Sequence, residues 1–212
     1  MNFAIIAQQL VSGMGSSLMI FVLTLLFSMP LGLLVAFGRM SKIKPLQAVI
    51  KVFIAILRGT PLMLQLLVVN FAPYYLFRIS LPRWYRFAAI IIGFSINYAA
   101  YFAEIYRSGI ESIPKGQYEA ASVLGYNKNQ TFFRIIFPQM VKRELPPVTN
   151  EVITLVKDTS LAFVLAYEEM FTVAKQIASA RTSIMPLFVA GVFYFIFNAV
   201  VAFAMERIEK KL

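Results

Sequence analysis

A polar stretch, Ser112 to Pro138, lies between long apolar runs on both sides, and this contrast limits the chain more than any other feature. The stretch is too polar to cross a bilayer, whereas the runs beside it suit hydrocarbon. Pro114 and Gly116 break the preceding helix, and Gln117 to Leu124 form two turns that place Glu119 near a helix N-terminus, where a carboxylate suits the dipole. Gly125 then ends those turns. Asn127, with Gln130 three residues on, has the form of a capping box, and the helix it opens runs through Phe132, Ile135 and Ile136 to stop at Pro138. The expected product is a short helix, a tight corner and a second helix.

Of the 212 residues, 59% are hydrophobic and 14% charged, the composition of an integral membrane protein. Twenty basic residues against ten acidic ones sit between the apolar runs, not in a stripe interleaved with aromatics, so cytoplasmic loops account for them and nucleic acid does not. The chain has no Cys and no His, which excludes disulfides, thiolate or imidazole metal sites, and triads with a histidine base. A hydrolytic enzyme of the common kinds is therefore disfavoured. No Lys or Arg precedes the first apolar run, so the N-terminus is expected to be retained and not cleaved as a signal peptide.

The apolar runs predict an all-α chain with five spans, at about 8–38, 61–77, 87–106, 147–165 and 185–205, in a single membrane domain, 1–212. The first has a small face at Gly13, Gly15, Ser16 and Ser17 and a kink expected at Pro30. Leu46 to Phe77 would be about 48 Å as one helix against a hydrocarbon core of roughly 30 Å. It should divide at Arg58-Gly59-Thr60-Pro61, with Thr60 capping the second span and Pro61 in its first position. Pro146 and Pro147 are expected to open the fourth span, and Glu168 to Ser183 to lie at the outer surface. Residues 39–51, 107–143 and 207–211 carry four, six and three basic residues against five in the two outer loops, which puts the N-terminus outside and the C-terminus in the cytoplasm.

Two ionisable groups fall within spans and are functional candidates. Glu104 either pairs locally with Arg107 or meets the substrate. Asp158, about 16 Å up a helix from Pro147, either marks a broken, wet stretch of a pathway or forms a clasp with Lys157. Gln65, Asn70, Asn97, Thr154 and Ser160 are the uncharged polar candidates for the same pathway, able to meet an ammonium and a carboxylate without leaving a fixed charge behind.

Glu119, Ala120, Ala121, then Gly125, Ile135 and Pro138, resembles the EAA loop of bacterial ABC importer membrane subunits, with Phe137 where Leu is usual. Arg58-Gly59-Thr60-Pro61-Leu62 with Gln65, Tyr101 to Arg107, and Lys157-Asp158-Thr159-Ser160 resemble the polar amino acid branch of these permeases. The resemblance covers nearly the whole chain and implies the type I ABC importer (MetI-like) fold. It implies a coupling helix whose contacts with an ATP-binding subunit are Tyr118, Glu119, Ala120, Ala121, Leu124 and Gly125. It also implies two ATP-binding subunits, a second permease subunit, identical or homologous, an extracytoplasmic solute-binding protein, and residence in the bacterial cytoplasmic membrane among its lipids. No glycine-rich run is followed by Lys and Ser or Thr, so ATP and Mg are expected on the partner subunit and no cofactor on this chain.

Two other readings remain at this stage. An ion-coupled secondary transporter or channel subunit would use Glu104 and Asp158 but leaves the EAA loop unexplained. A membrane anchor without a pathway would have no use for the amides within its spans.

Overall fold

The computed structural model describes residues 3–211, so the N-terminus, expected on the outside, lies beyond the described residues. Its central element is α4 (Tyr85–Glu111), which alternates large buried side chains, Phe94, Tyr98 and Phe102, with buried small ones, Ala89, Ala99, Ala100 and Ala103. The small residues let other helices approach closely, which is how helices associate when lipid offers no hydrophobic gradient. The long first helix, α1 (Phe3–Arg39), lies along α4, and a Cβ placed on Gly32 would stand 2.8 Å from Phe102 Cβ. Ile20, Phe21, Leu66, Phe94, Phe102, Leu155 and Phe197 form one core shared by five elements.

Next come α2 (Lys44–Gly59) and α3 (Leu62–Phe77), bent by 111° at the expected Gly59-Thr60-Pro61 break. Thr60, however, does not cap α3. Its hydroxyl donates back to the Ile56 carbonyl at 2.8 Å, and Pro61 takes the N-cap position with no side-chain bond. Past α4 the chain forms α5 (Lys115–Val123), α6 (Lys128–Thr131), a π-helical turn (Phe132–Ile136) and α7 (Phe137–Asp158). A 3-10 segment (Thr159–Leu165) leads to α8 (Met170–Arg181), and α9 (Met185–Glu209) closes the fold.

Two expectations about proline are corrected. The helix does not stop at Pro138: a π turn, in which the Phe137 amide donates to the Phe132 carbonyl, widens the backbone just before the proline and carries the helix into α7. Pro146 and Pro147 lie inside α7 instead of opening it. The carbonyls they leave without donors belong to Lys142 and Arg143, at exposed positions where water can serve.

Among the described residues, α1, α4 and α9 are long and apolar enough to cross a membrane, and the bent α2–α3 pair makes a fourth candidate span. α7 falls short of that apolarity because it carries Asn150, Glu151, Lys157 and Asp158, while Leu145, Val148, Val152, Leu155 and Val156 pack inward. Leu26, Leu34, Phe195 and Phe203 on α1 and α9 point outward, as a lipid-facing surface requires.

Candidate functional site

The polar stretch is mounted on one end of the bundle. Pro114 is the extended N-cap of α5, and the helix ends in a Schellman motif: the Tyr126 amide donates to Ala121 O and the Gly125 amide to Ser122 O, each at 3.0 Å. Gly125 supplies the left-handed residue, at φ +75°. The capping box follows, with Asn127 Oδ1 accepting from the Gln130 amide and Gln130 Oε1 from the Asn127 amide, both at 3.0 Å. Arg143 of α7 donates to the Ser112 carbonyl at 2.5 Å, and Phe37 of α1 meets Phe132 edge to face at 5.2 Å. The corner is therefore fixed to α1, α4 and α7.

Within α5 only Ala121 is buried, facing the bundle. Tyr118, Glu119, Ala120 and Gly125 are exposed, Leu124 is 74% exposed and Val123 88%. Val123 and Leu124 thus stand as two bare apolar side chains at the apex of the corner. Beside it lies a cleft of about 580 Å³ lined by Phe37, Met40, Tyr118, Ser122, Tyr126 and Phe132. Partial burial there pushes the Tyr118 phenol above its ordinary pKa. Glu119 sits in the second turn, not near the N-terminus, because α5 begins two residues before the expected start.

Four of the seven pathway candidates are tied into the bundle. Asn97, 4% exposed on α4, donates to Gln65 Oε1 and to the Leu57 carbonyl, each at 3.0 Å. Gln65 in turn donates to Leu57 O at 2.9 Å and to both oxygens of Thr60. These amides occupy the backbone groups freed at the 111° break. One residue along α4, Tyr98 donates to Asp158 Oδ2 at 2.7 Å. The Lys157 clasp is not formed, because Lys157 faces outward and Asp158 inward at the end of α7. Ser160 donates only to the Lys157 carbonyl, at 2.8 Å. Glu104 takes the local arrangement, 2.6 Å from Arg107 with Arg39 of α1 at 3.8 Å. Asn70 and Thr154 are half-buried and stand apart from these networks.

A further polar centre has no clear signal in the sequence. Glu169, at 0% exposure, caps α8 by accepting from the Phe171 and Thr172 amides at 2.7 Å, and takes Tyr194 Oη at 3.1 Å and Ser17 Oγ at 3.4 Å. It joins α1, α8 and α9. The segment expected at the outer surface is thus half inside: Met170, Thr172 and Ala174 are buried. The available clue was the small face of α1, for a Cβ on Gly13 would stand 2.8 Å from the Met170 backbone.

This all-helical architecture, with its fixed corner at one end of the apolar helices, is that of the membrane permease subunits of ABC transporters. The chain belongs to the family described as binding-protein-dependent transport system inner membrane component, whose pattern it matches over residues 28–212. It is 37% identical to the L-cystine transport system permease protein TcyB of Bacillus subtilis (strain 168), over 90% of this chain and 81% of that one. It is 30% identical to the arginine transport system permease protein ArtQ of the same organism, over 96% of this chain and 92% of that one. Its fold superimposes on a chain of an amino acid ABC transporter solved with histidines at a TM-score of 0.87 and 29% identity, covering 100% of this chain and 99% of the other. The relatives are permease subunits, not enzymes, and hydrolysis of ATP lies in a separate subunit.

Proposed function

We propose that this chain carries a polar amino acid inward across the cytoplasmic membrane, driven by ATP hydrolysis in two partner subunits that grip α5. The carrying observation is the exposed Val123–Leu124 apex above buried Ala121, fixed by the Gly125 corner. A polar amino acid is supported by relatives named for cystine and arginine transport. Five spans, α1, α3, α4, α7 with its 3-10 extension, and α9, enclose too little for a pathway of their own, so a second permease copy or homologue completes it about an axis normal to the membrane. The basic residues beside α5 and at the end of α9 support a cytoplasmic placement of that end, with the N-terminus outside.

The pathway reading narrows to the α4–α7 side. Asp158, Thr154 and Ser160 line it, with Asn70 and Glu104 towards its two ends, whereas Gln65 and Asn97 act on it through the α2–α3 bend they hold. The test is uptake into proteoliposomes containing the permease, the ATP-binding subunit and the solute-binding protein. Uptake of a labelled polar amino acid should need ATP on the α5 side. Uptake driven by an ion gradient without the ATP-binding subunit would overturn the reading in favour of a secondary transporter.

A further inference from the structure

The cleft beside the α5 corner joins two kinds of surface. Phe37 and Met40, from the end of α1, and Phe132 of the π turn give it an apolar wall. Tyr118, Ser122, Tyr126 and Lys128 bring three hydroxyls and an ammonium to the same space. Thr131, also in the lining, already donates its hydroxyl to the Asn127 carbonyl at 3.0 Å. The other four polar side chains have no hydrogen-bonding partner among the described residues, and no carboxylate lines the cleft. Free donors around a single positive charge suit an anionic group that only accepts hydrogen bonds.

The cleft opens where α1 leaves its apolar run. Leu34 and Phe37, three residues apart on one face of α1, are both exposed, and Lys42 and Lys44 follow the end of the helix. An acyl chain lying along Leu34 and Phe37 reaches the cleft without leaving hydrocarbon, and its head group arrives beside Lys128. The cleft is also set apart from the apolar apex of the corner. Tyr118 and Ser122, four residues apart, share one side of α5, whereas Val123 stands about 100° further round the helix.

We propose that this cleft binds the head group of an anionic phospholipid, with the phosphate held by Lys128 and the hydroxyls of Tyr118, Ser122 and Tyr126, and that the bound lipid braces the α5 corner against α1. Placing that lipid in the cytoplasmic leaflet rests on the importer reading above. A phosphodiester carries one negative charge and acceptor oxygens alone, which matches the donors present. A small free anion fits less well, because it leaves Phe37, Met40 and Phe132 facing water. Among the described residues α5 and α1 exchange no hydrogen bond, so a head group bonded to Tyr118 and Ser122 whose chain lies on Phe37 adds a tie that the protein lacks. The grip of the corner on its ATP-binding partner should therefore tighten with anionic lipid.

The test uses the full complex in nanodiscs of phosphatidylcholine with increasing phosphatidylglycerol. Native mass spectrometry counts the phosphatidylglycerol retained by each complex, and stimulated ATP hydrolysis is followed in parallel. Lys128→Gln should raise the phosphatidylglycerol fraction that half-saturates retention by about tenfold, as loss of a charge-assisted bond predicts, and Tyr126→Phe by about threefold, as loss of a neutral one does. Lys128→Arg should restore most of the retention. Lys211→Gln, which removes an exposed cation at the end of α9, should change nothing. Equal retention in Lys128→Gln and wild type would overturn the site, and so would an equal loss in Lys211→Gln, which would assign the effect to general surface charge. Inorganic phosphate that replaces phosphatidylglycerol in supporting hydrolysis would overturn the lipid in favour of a small anion. Retention that depends on Lys128 in a complex with no stimulated hydrolysis at any lipid composition would keep the site and sink the importer reading instead.

Discussion

Tyr98 donates a 2.7 Å hydrogen bond to Asp158 and so fastens the middle of α4 to the point where α7 gives way to the 3-10 segment. A carboxylate within a membrane bundle is tolerated when a donor holds it or water reaches it. Tyr98→Phe removes the donor and leaves the ring in place. Loss of a hydrogen bond to a charged group costs on the order of 1.5–3 kcal/mol, so the purified complex should melt at a lower temperature and transport more slowly. Asp158→Asn should keep an acceptor for Tyr98 and retain most of the stability. Equal melting of Tyr98→Phe and wild type would show that water, not Tyr98, satisfies Asp158.

The Gln65–Asn97 pair should matter for assembly more than for selectivity. Both amides serve the carbonyls at the α2–α3 break, so Asn97→Ala strands Gln65 Oε1 in an apolar core and leaves Leu57 O with Gln65 as its donor. An interhelical bond in a membrane is worth about 1 kcal/mol, and a stranded buried acceptor adds to that. Asn97→Ala and Gln65→Ala should lower the yield of intact complex, whereas Asn70→Ala, outside the network, should leave it near wild type. A normal yield in both variants together with an altered preference among amino acids would return the two amides to the substrate path.

Local chemistry was legible in the sequence wherever a residue acts on its own backbone neighbourhood. Gly59 and Pro61 announced the break, Gly125 the corner, and Asn127 with Gln130 the capping box. The prolines misled for the same reason: Pro138 and Pro147 look like helix ends unless the π turn and the exposed carbonyls before them are known. The candidate site was half legible. Asp158 stands out as a charge in an apolar run, but its donor Tyr98 and the reach of Asn97 to Leu57 depend on which helix faces are opposed. Glu169 was hidden because an amphipathic, polar stretch reads as surface until α1, with Gly13 and Ser17, closes over it.

Glu169 should be a stability centre at the junction of α1, α8 and α9. Glu169→Ala removes the N-cap of α8, itself worth about 0.5–2 kcal/mol, and also strands Ser17 and Tyr194, the bonds that tie α8 to α1 and α9. The variant should express poorly or become sensitive to protease between α8 and α9. Gly13→Val should resemble it, because the added side chain meets the Met170 backbone, which cannot move aside as a flexible side chain would. Protease resistance equal to wild type in both variants would mean that this junction is dispensable.

Orientation can be read by thiol labelling because the chain has no cysteine of its own. Arg83→Cys, in the outer loop, should react with an impermeant maleimide added to intact cells or spheroplasts, and Lys115→Cys, at the start of α5, only after the membrane is opened. Both positions are exposed, so accessibility reports side and not burial. Reaction of both from the same side, or in the reverse order, would overturn the five-span arrangement.

Gly125 gives the sharpest test of coupling because its surroundings are empty: a Cβ there meets nothing within 4 Å. Within this chain any effect of Gly125→Val therefore comes from the backbone, held at φ +75° by the Schellman bonds to Ala121 and Ser122. A β-branched residue in that region costs about 1–2 kcal/mol or more and should swing Val123 and Leu124 away from the partner. Asn tolerates the left-handed region and should largely restore the corner. The expected series is normal membrane insertion for all three chains, loss of the co-purifying ATP-binding subunit or of stimulated hydrolysis in Gly125→Val, and recovery of most of both in Gly125→Asn. Full transport by Gly125→Val would separate the corner from coupling altogether.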